Sequence, residues 1–312
     1  MTTPEKFSHV AIIGAGTIGA SWAALVLAKG LKVTIYDPLP SVTTTAVESI
    51  KTVWPALQEL GVATTPPALD RLTFVNTVAE AVSNADFVQE NGPENITLKT
   101  PLLVEIDANL PANRVICSST SGQTIDALRT GLKHPERILV GHPFNPPHLI
   151  PLVEVVADAQ SSPGALNTAM AFYTSLGKEP LHLSHSIPGH ITHRLQMAAW
   201  REALYLVERG VVSLQDVDTA MVYGPGIRWA IFGPNTNGHL GGGPVGGLGY
   251  LLEALGPAAE VWWKDMASFT KFTPSMIEKL KEGGKTLPEF PKLRADRDRK
   301  LVEILKIMST DD

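Results

Sequence analysis

Short apolar runs recur through the first half of the chain, at residues 9–13, 31–36, 72–75, 87–89, 115–117 and 138–140. Runs of this length, bounded by turn residues, predict strands buried on both faces. Between them, residues 18–29, 42–60, 96–109 and 125–132 carry apolar positions at helical spacing. Strand alternating with helix predicts βαβ units, right-handed crossovers and a largely parallel sheet. A further apolar run, Leu152-Val153-Glu154-Val155-Val156, is interrupted by one carboxylate.

The pattern changes near Ile187-Pro188-Gly189. Beyond it the periodicity predicts a long helix over 191–209, stopped by Gly210 in a left-handed cap. Ser213 with Asp216 three residues on has the form of an N-cap opening the next helix. Residues 251–255 and 276–281 also read as helical, whereas the glycine-rich run 238–249 reads as a loop or a close helix–helix contact. No strand is expected after about residue 187. The fold class expected is therefore α/β: a doubly wound, mostly parallel Rossmann-type sheet over 1–187, then a smaller all-α domain over 188–312.

A chain of 312 residues is long enough for two such cores. Its net charge of −5 gives no electrostatic case for nucleic acid or an anionic membrane. The single cysteine, Cys117, excludes an internal disulfide and lies in a strand-like run. The histidines show no ligand spacing, so no metal is expected. Residues 1–8 carry no basic-plus-apolar signal, and Ser309-Thr310-Asp311-Asp312 is not a targeting or lipidation signal. The cytoplasm is the expected compartment.

Gly14-Ala15-Gly16-Thr17-Ile18-Gly19 follows the first strand and opens the first helix. In that context the glycines serve a tight turn, close approach of a pyrophosphate, and helix–strand packing, while Thr17 and Ile18 lie in the amide-rich helix start. Asp37 ends the second strand, where a carboxylate accepts hydrogen bonds from a ribose diol and repels a 2′-phosphate. No Arg or Lys occurs from Pro38 to Ile50 to neutralise such a phosphate. NAD is the expected cofactor rather than NADP.

Polar residues gather at successive strand ends: residues 89–95 after the fourth strand, Ser118-Ser119-Thr120-Ser121 after the fifth, and His142 at the sixth. Ligands of open parallel sheets sit outside these ends, although a serine-rich loop also serves simply as a helix cap. The turn-rich segment His142-Pro143-Phe144-Asn145-Pro146-Pro147 lets the chain double back and bring Glu154 opposite His142. A histidine oriented by a carboxylate is a general acid/base; a structural pair closing a hairpin is the other reading.

Together the glycine loop, Pro93-Glu94-Asn95 with Lys99, residues 118–121, His142-Pro-Phe-Asn-Pro and Leu152-Val-Glu154-Val resemble the 3-hydroxyacyl-CoA dehydrogenase superfamily. The resemblance runs from about Val10 to Trp263. It implies that His142 removes the substrate hydroxyl proton, that Glu154 orients it, and that Ser121 hydrogen-bonds the substrate oxygen. Glu94 and Lys99 would lie beside the nicotinamide end of the cofactor. His193 stands where the family commonly has an asparagine, either as a hydrogen-bond partner of the substrate or as a helix-surface residue. A homodimer through the helical domain is also implied.

Phosphate-bearing acyl-CoA needs cations, yet between Ser41 and Asp70 the only Lys or Arg is Lys51. Tyr223-Gly224-Pro225-Gly226-Ile227-Arg228-Trp229 looks instead like the branch containing carnitine dehydrogenase, gulonate 3-dehydrogenase and lambda-crystallin. Arg228 can clamp a carboxylate, with Trp229 and Asn145 as further substrate contacts; alternatively Arg228 caps a helix or pairs with Asp216 or Asp218. Trp262-Trp263 offers faces for a quaternary ammonium or for helix packing. The expected activity is NAD-dependent oxidation of a small free 3-hydroxy acid. A 3-hydroxyacyl-CoA dehydrogenase and a non-catalytic, crystallin-like NAD-binding protein are the alternatives.

Overall fold

A computed structural model describes residues 7–309; the expectations for the extreme termini fall partly outside that range. The chain divides into two compact units, 1–193 and 194–312. The turn after Pro188 belongs to the first unit, to which it is bonded as described below.

In the first unit, β1 (His9–Ile13), β2 (Lys32–Tyr36), β3 (Leu72–Val75), β4 (Phe87–Glu90), β5 (Val115–Ser118), β6 (Ile138–Pro143), β7 (Leu152–Val156) and β8 (Glu179–Leu183) form one sheet. Its order is β3-β2-β1-β4-β5-β6-β7-β8. Six strands run parallel; β7 pairs antiparallel with β6, and β8 pairs parallel with β7. The order reverses between β1 and β4, which opens a ligand crevice at their carboxyl ends.

Alternation along each strand feeds two cores. Val10, Ile12, Val33, Ile35 and Phe87 join one, with residues of α1 (Thr17–Ala28) and α2 (Val42–Glu59). Ala11, Ile13, Val88 and Ile116 join the other, with α3 (Val78–Val82), α4 (Ile96–Asn109) and α5 (Ile125–Leu128). A further helix, α6 (Pro163–Ser175), adds Phe172 and Tyr173 to the first core. Both faces are covered, as a parallel sheet requires. Cys117 is fully buried, and burial pushes its thiol up to about 12, so it is inert core.

The long helix α7 (Thr192–Glu208) is followed by the left-handed Gly210. Ser213 and Asp216 form a reciprocal capping box at α8 (Leu214–Met221). The second unit continues with α9 (Ile227–Ile231), α10 (Pro234–Gly241), α11 (Gly243–Asp265), α12 (Pro274–Gly284) and α13 (Phe290–Met308). The glycine-rich run is thus two helices joined by a tight turn rather than an open loop. A Cβ on Gly242 would sit 1.7 Å from the Gly247 carbonyl oxygen, an approach that only glycine permits.

Candidate active site

At the first βα turn each glycine has a separate physical reason. Gly14 has a φ of 93°, and a Cβ there would meet the Asn91 carbonyl oxygen at 2.8 Å. Gly19 abuts the Gly14 carbonyl, which would lie 1.9 Å from an added Cβ. A Cβ on Gly16, in contrast, would meet nothing within 4 Å. The turn is therefore built tightly at Gly14 and Gly19 and left open at Gly16, where Thr17 and Ile18 begin α1 with amides that lack intrahelical acceptors. That open cradle fits the pyrophosphate of a dinucleotide.

Beside it lies a cavity of about 220 Å³, lined by Ala15, Asp37, Pro40, Thr43 and Phe74 among others, with no cationic side chain. The Asp37 carboxylate accepts from the Ala15 amide at 2.8 Å and from the Leu39 amide at 2.9 Å. It is thereby fixed at the cavity wall with lone pairs left for a ribose diol, and it leaves no counter-charge for a 2′-phosphate.

His142 on β6 and Glu154 on β7 are register partners across the antiparallel step. The His142 Nδ1 lies 2.8 Å from Glu154 Oε2, and both side chains are buried. The same carboxylate accepts from the Ile191 amide at 2.8 Å, the Thr192 amide at 3.0 Å and the Thr192 hydroxyl at 2.8 Å. Burial by itself would raise the Glu154 carboxyl, but His142 and these donors outweigh it and hold it down at about 2. An ionised Glu154 accepts a hydrogen bond from Nδ1–H of His142, which leaves the Nε2 lone pair as the basic atom.

Two further imidazoles lie against His142: His193 at 4.9 Å and His190 at 5.2 Å between ring centroids. Burial, then repulsion from His142, lowers the pKa of His193, so its ring is neutral near pH 7. Its Nδ1 has no hydrogen-bond partner among the described residues.

Glu94 holds the serine-rich loop from outside, accepting from the Thr120 hydroxyl at 2.6 Å and the Gly122 amide at 3.0 Å. Ser121 lies between those two anchors. Its hydroxyl makes no hydrogen bond to the protein among the described residues. The cap of α5 is Thr124, not a serine of the loop.

Lys99, expected beside the nicotinamide, is 1 % exposed and bonds both oxygens of Glu90 and the Gly92 carbonyl. Glu90 also accepts from Ser118 and from the Gly92 amide. Lys99 thus shapes the turn after β4 rather than presenting a free cation. Asn145 is exposed in the loop after His142. In the second unit, Arg228 and Trp229 are exposed on α9. Arg228 forms no ion pair with Asp216 or Asp218 among the described residues. Trp262 and Trp263 are also exposed, on α11.

Beneath the site runs a polar network that the apolar patterning conceals. Tyr173 donates to Gln89 Oε1 at 2.7 Å, and Gln89 Nε2 donates to Ser119 at 2.8 Å and to the Gly141 carbonyl at 3.2 Å. Ser119 in turn donates to Asn91 Oδ1 at 2.7 Å. A Cβ on Gly141 would collide with the Tyr173 hydroxyl at 1.9 Å, which requires glycine next to His142.

Comparison with known proteins agrees with this geometry. Residues 9–186 match the model of the 3-hydroxyacyl-CoA dehydrogenase NAD binding domain, and residues 189–284 match that of the 3-hydroxyacyl-CoA dehydrogenase C-terminal domain. The chain is 41% identical to an L-carnitine dehydrogenase of Nocardiopsis dassonvillei, over 98% of this chain and 93% of that protein. It is 40% identical to one of Streptomyces coelicolor, over 98% and 96%. Among solved structures, an NAD+-dependent 5-formyl-3-hydroxy-2-methylpyridine 4-carboxylic acid 5-dehydrogenase superposes with a TM-score of 0.86 at 31% identity, covering 98% of this chain and 100% of that one.

Proposed function

The chain belongs to the 3-hydroxyacyl-CoA dehydrogenase family, and from that premise we propose that it oxidises the 3-hydroxyl of a small free 3-hydroxy acid to the 3-oxo acid. The observation that carries the reading is the His142–Glu154 bond, which leaves Nε2 of a buried imidazole as a base. NAD, held by the Gly16 cradle and Asp37, supplies the hydride acceptor when bound. His142 Nε2 takes the hydroxyl proton as the carbinol carbon loses hydride, and the ionised Glu154 stabilises the resulting imidazolium. Ser121 and the neutral His193 are assigned to the substrate oxygen.

The free acid is favoured over the thioester on two grounds. The segment after Asp37 is poor in cations, and relatives that match nearly the full length are L-carnitine dehydrogenases. Arg228, with Trp229 beside it, is assigned to the substrate carboxylate, and Asn145 to the loop that faces substrate. We further infer a homodimer through the helical unit, whose Tyr223, Leu240, Val245, Leu252, Trp262 and Trp263 are exposed, and a cytoplasmic enzyme. Among the described residues no helix is long and apolar enough to cross a membrane.

The test is NADH production with carnitine, gulonate and 3-hydroxybutyrate, each beside its CoA thioester. Turnover of at least one free acid is expected. Reduction of acetoacetyl-CoA with no turnover of any free acid would overturn the substrate class, and no turnover of either would favour a non-catalytic protein.

A further inference from the structure

His190 is fully buried, yet its backbone adopts a φ of 47°, in the left-handed region that costs a non-glycine residue free energy. Its Nε2 lies 3.3 Å from the Thr120 carbonyl. A carbonyl only accepts, so Nε2 carries the proton and Nδ1 is a bare acceptor. That Nδ1 is buried and has no hydrogen-bond partner among the described residues. Burial lowers the pKa of this ring, with repulsion from His142 acting in the same direction, so it remains neutral. Neither the backbone conformation nor the unsatisfied nitrogen stabilises the fold.

What the residue does is visible in its connections. On one side its only side-chain hydrogen bond among the described residues ends on Thr120, the neighbour of Ser121. On the other, the two peptide amides that follow it, of Ile191 and Thr192, are the ones that hold Glu154 Oε1. Its ring also lies against that of His142. The Ser121 loop and the carboxylate cage come from distant parts of the sequence, and His190 links them.

We propose that His190 is a positioning residue that ties the Ser121 loop to the amide cage of Glu154, so that the hydroxyl donor and the His142 base share one frame. The inference deepens the proposed function, since it rests on His142 being the base.

His190→Phe keeps an aromatic ring but loses the donor to Thr120, while His190→Gln keeps a donor of similar reach. In the Phe variant kcat is expected to fall about tenfold, with KM for NAD unchanged and the melting temperature unchanged or higher, because the orphaned nitrogen is gone. The Gln variant should recover most of kcat. A readout independent of turnover is the proton NMR resonance of His142 Nδ1–H. It should be sharp in the wild type and in His190→Gln, but broadened by solvent exchange in His190→Phe. Should the Phe variant not melt cooperatively, His190→Leu is measured in its place. A sharp resonance in the donor-less variant, or equal broadening in the Gln variant, overturns the positioning role. If the wild type turns over no hydroxy acid while the NMR contrast holds, the functional reading fails and the positioning role stands.

Discussion

The His142 ring points its Nδ1–H at Glu154 Oε2 over 2.8 Å, and the two residues are direct register partners on adjacent antiparallel strands. Sheet register, rather than a flexible loop, sets the separation of imidazole and carboxylate. A one-residue slip of β7 would turn Glu154 to the opposite face.

On the proposed mechanism, replacing His142 removes the base without disturbing the glycine turn assigned to NAD. His142→Gln is expected to lower kcat by about 10²- to 10⁴-fold, with NAD affinity preserved in fluorescence titration. Glu154→Gln should lower kcat by less, because the imidazole keeps a partner but loses a charge. Equal turnover of wild type and His142→Gln would place the base elsewhere.

Glu154 also gives stability a defined dependence on acid. Its folded pKa is about 2 against an ordinary 4.5, so its contribution is complete above the unfolded value and is lost as pH falls toward 2. The size is on the order of 3 kcal/mol. Melting curves at about pH 6 and about pH 3 should show the gap between wild type and Glu154→Gln narrowing in acid. A gap that widens would mean the carboxyl is not held ionised.

The glycine turn separates binding from folding. A side chain at Gly16 enters open space, so Gly16→Val should leave the melting temperature unchanged while weakening NAD by more than about tenfold, a difference of about 1.4 kcal/mol. Gly19→Ala collides with the Gly14 carbonyl and should cost about 1–3 kcal/mol of stability through overpacking. Calorimetry and NAD titration on both variants read the contrast directly; an Ala at position 19 that left stability untouched would contradict it.

These glycines, Asp37 and the His142–Glu154 pairing were legible in the sequence because each rests on local pattern. A strand–turn–helix boundary places the glycines, and a turn-rich segment between two apolar runs brings Glu154 opposite His142. The roles of other residues depend on partners far away in the chain. Lys99 has the spacing of a site residue, but burial against Glu90 decides what its ammonium bonds. His190 follows a Pro-Gly pair that gives no hint of its left-handed backbone, and its partner Thr120 is 70 residues away. The strand at residues 179–183 contains Pro180 and an alternation too weak to register.

The proposed ribose contact of Asp37 makes cofactor choice testable at one carboxylate. Loss of a hydrogen bond to a charged group costs about 1.5–3 kcal/mol, so Asp37→Ser should raise KM for NAD about ten- to a hundredfold and narrow the preference over NADP. An unchanged KM would remove Asp37 from the ribose.

Arg228→Ala should raise KM for the acid by about tenfold or more and leave KM for NAD unchanged. Parallel increases in both constants would detach Arg228 from the carboxylate.

The network under the site has one consequence for redesign. Tyr173, Gln89, Ser119 and Asn91 are linked donor to acceptor in one direction, and the Gly141 carbonyl closes one branch of it. With each amide and hydroxyl orientation thus dictated, strands β4, β5 and β6 behave as a single machined part. Anyone wishing to retarget the enzyme to another acid would leave that block untouched and diversify the loops, since a methyl group at Gly141 alone would itself collide with the Tyr173 hydroxyl.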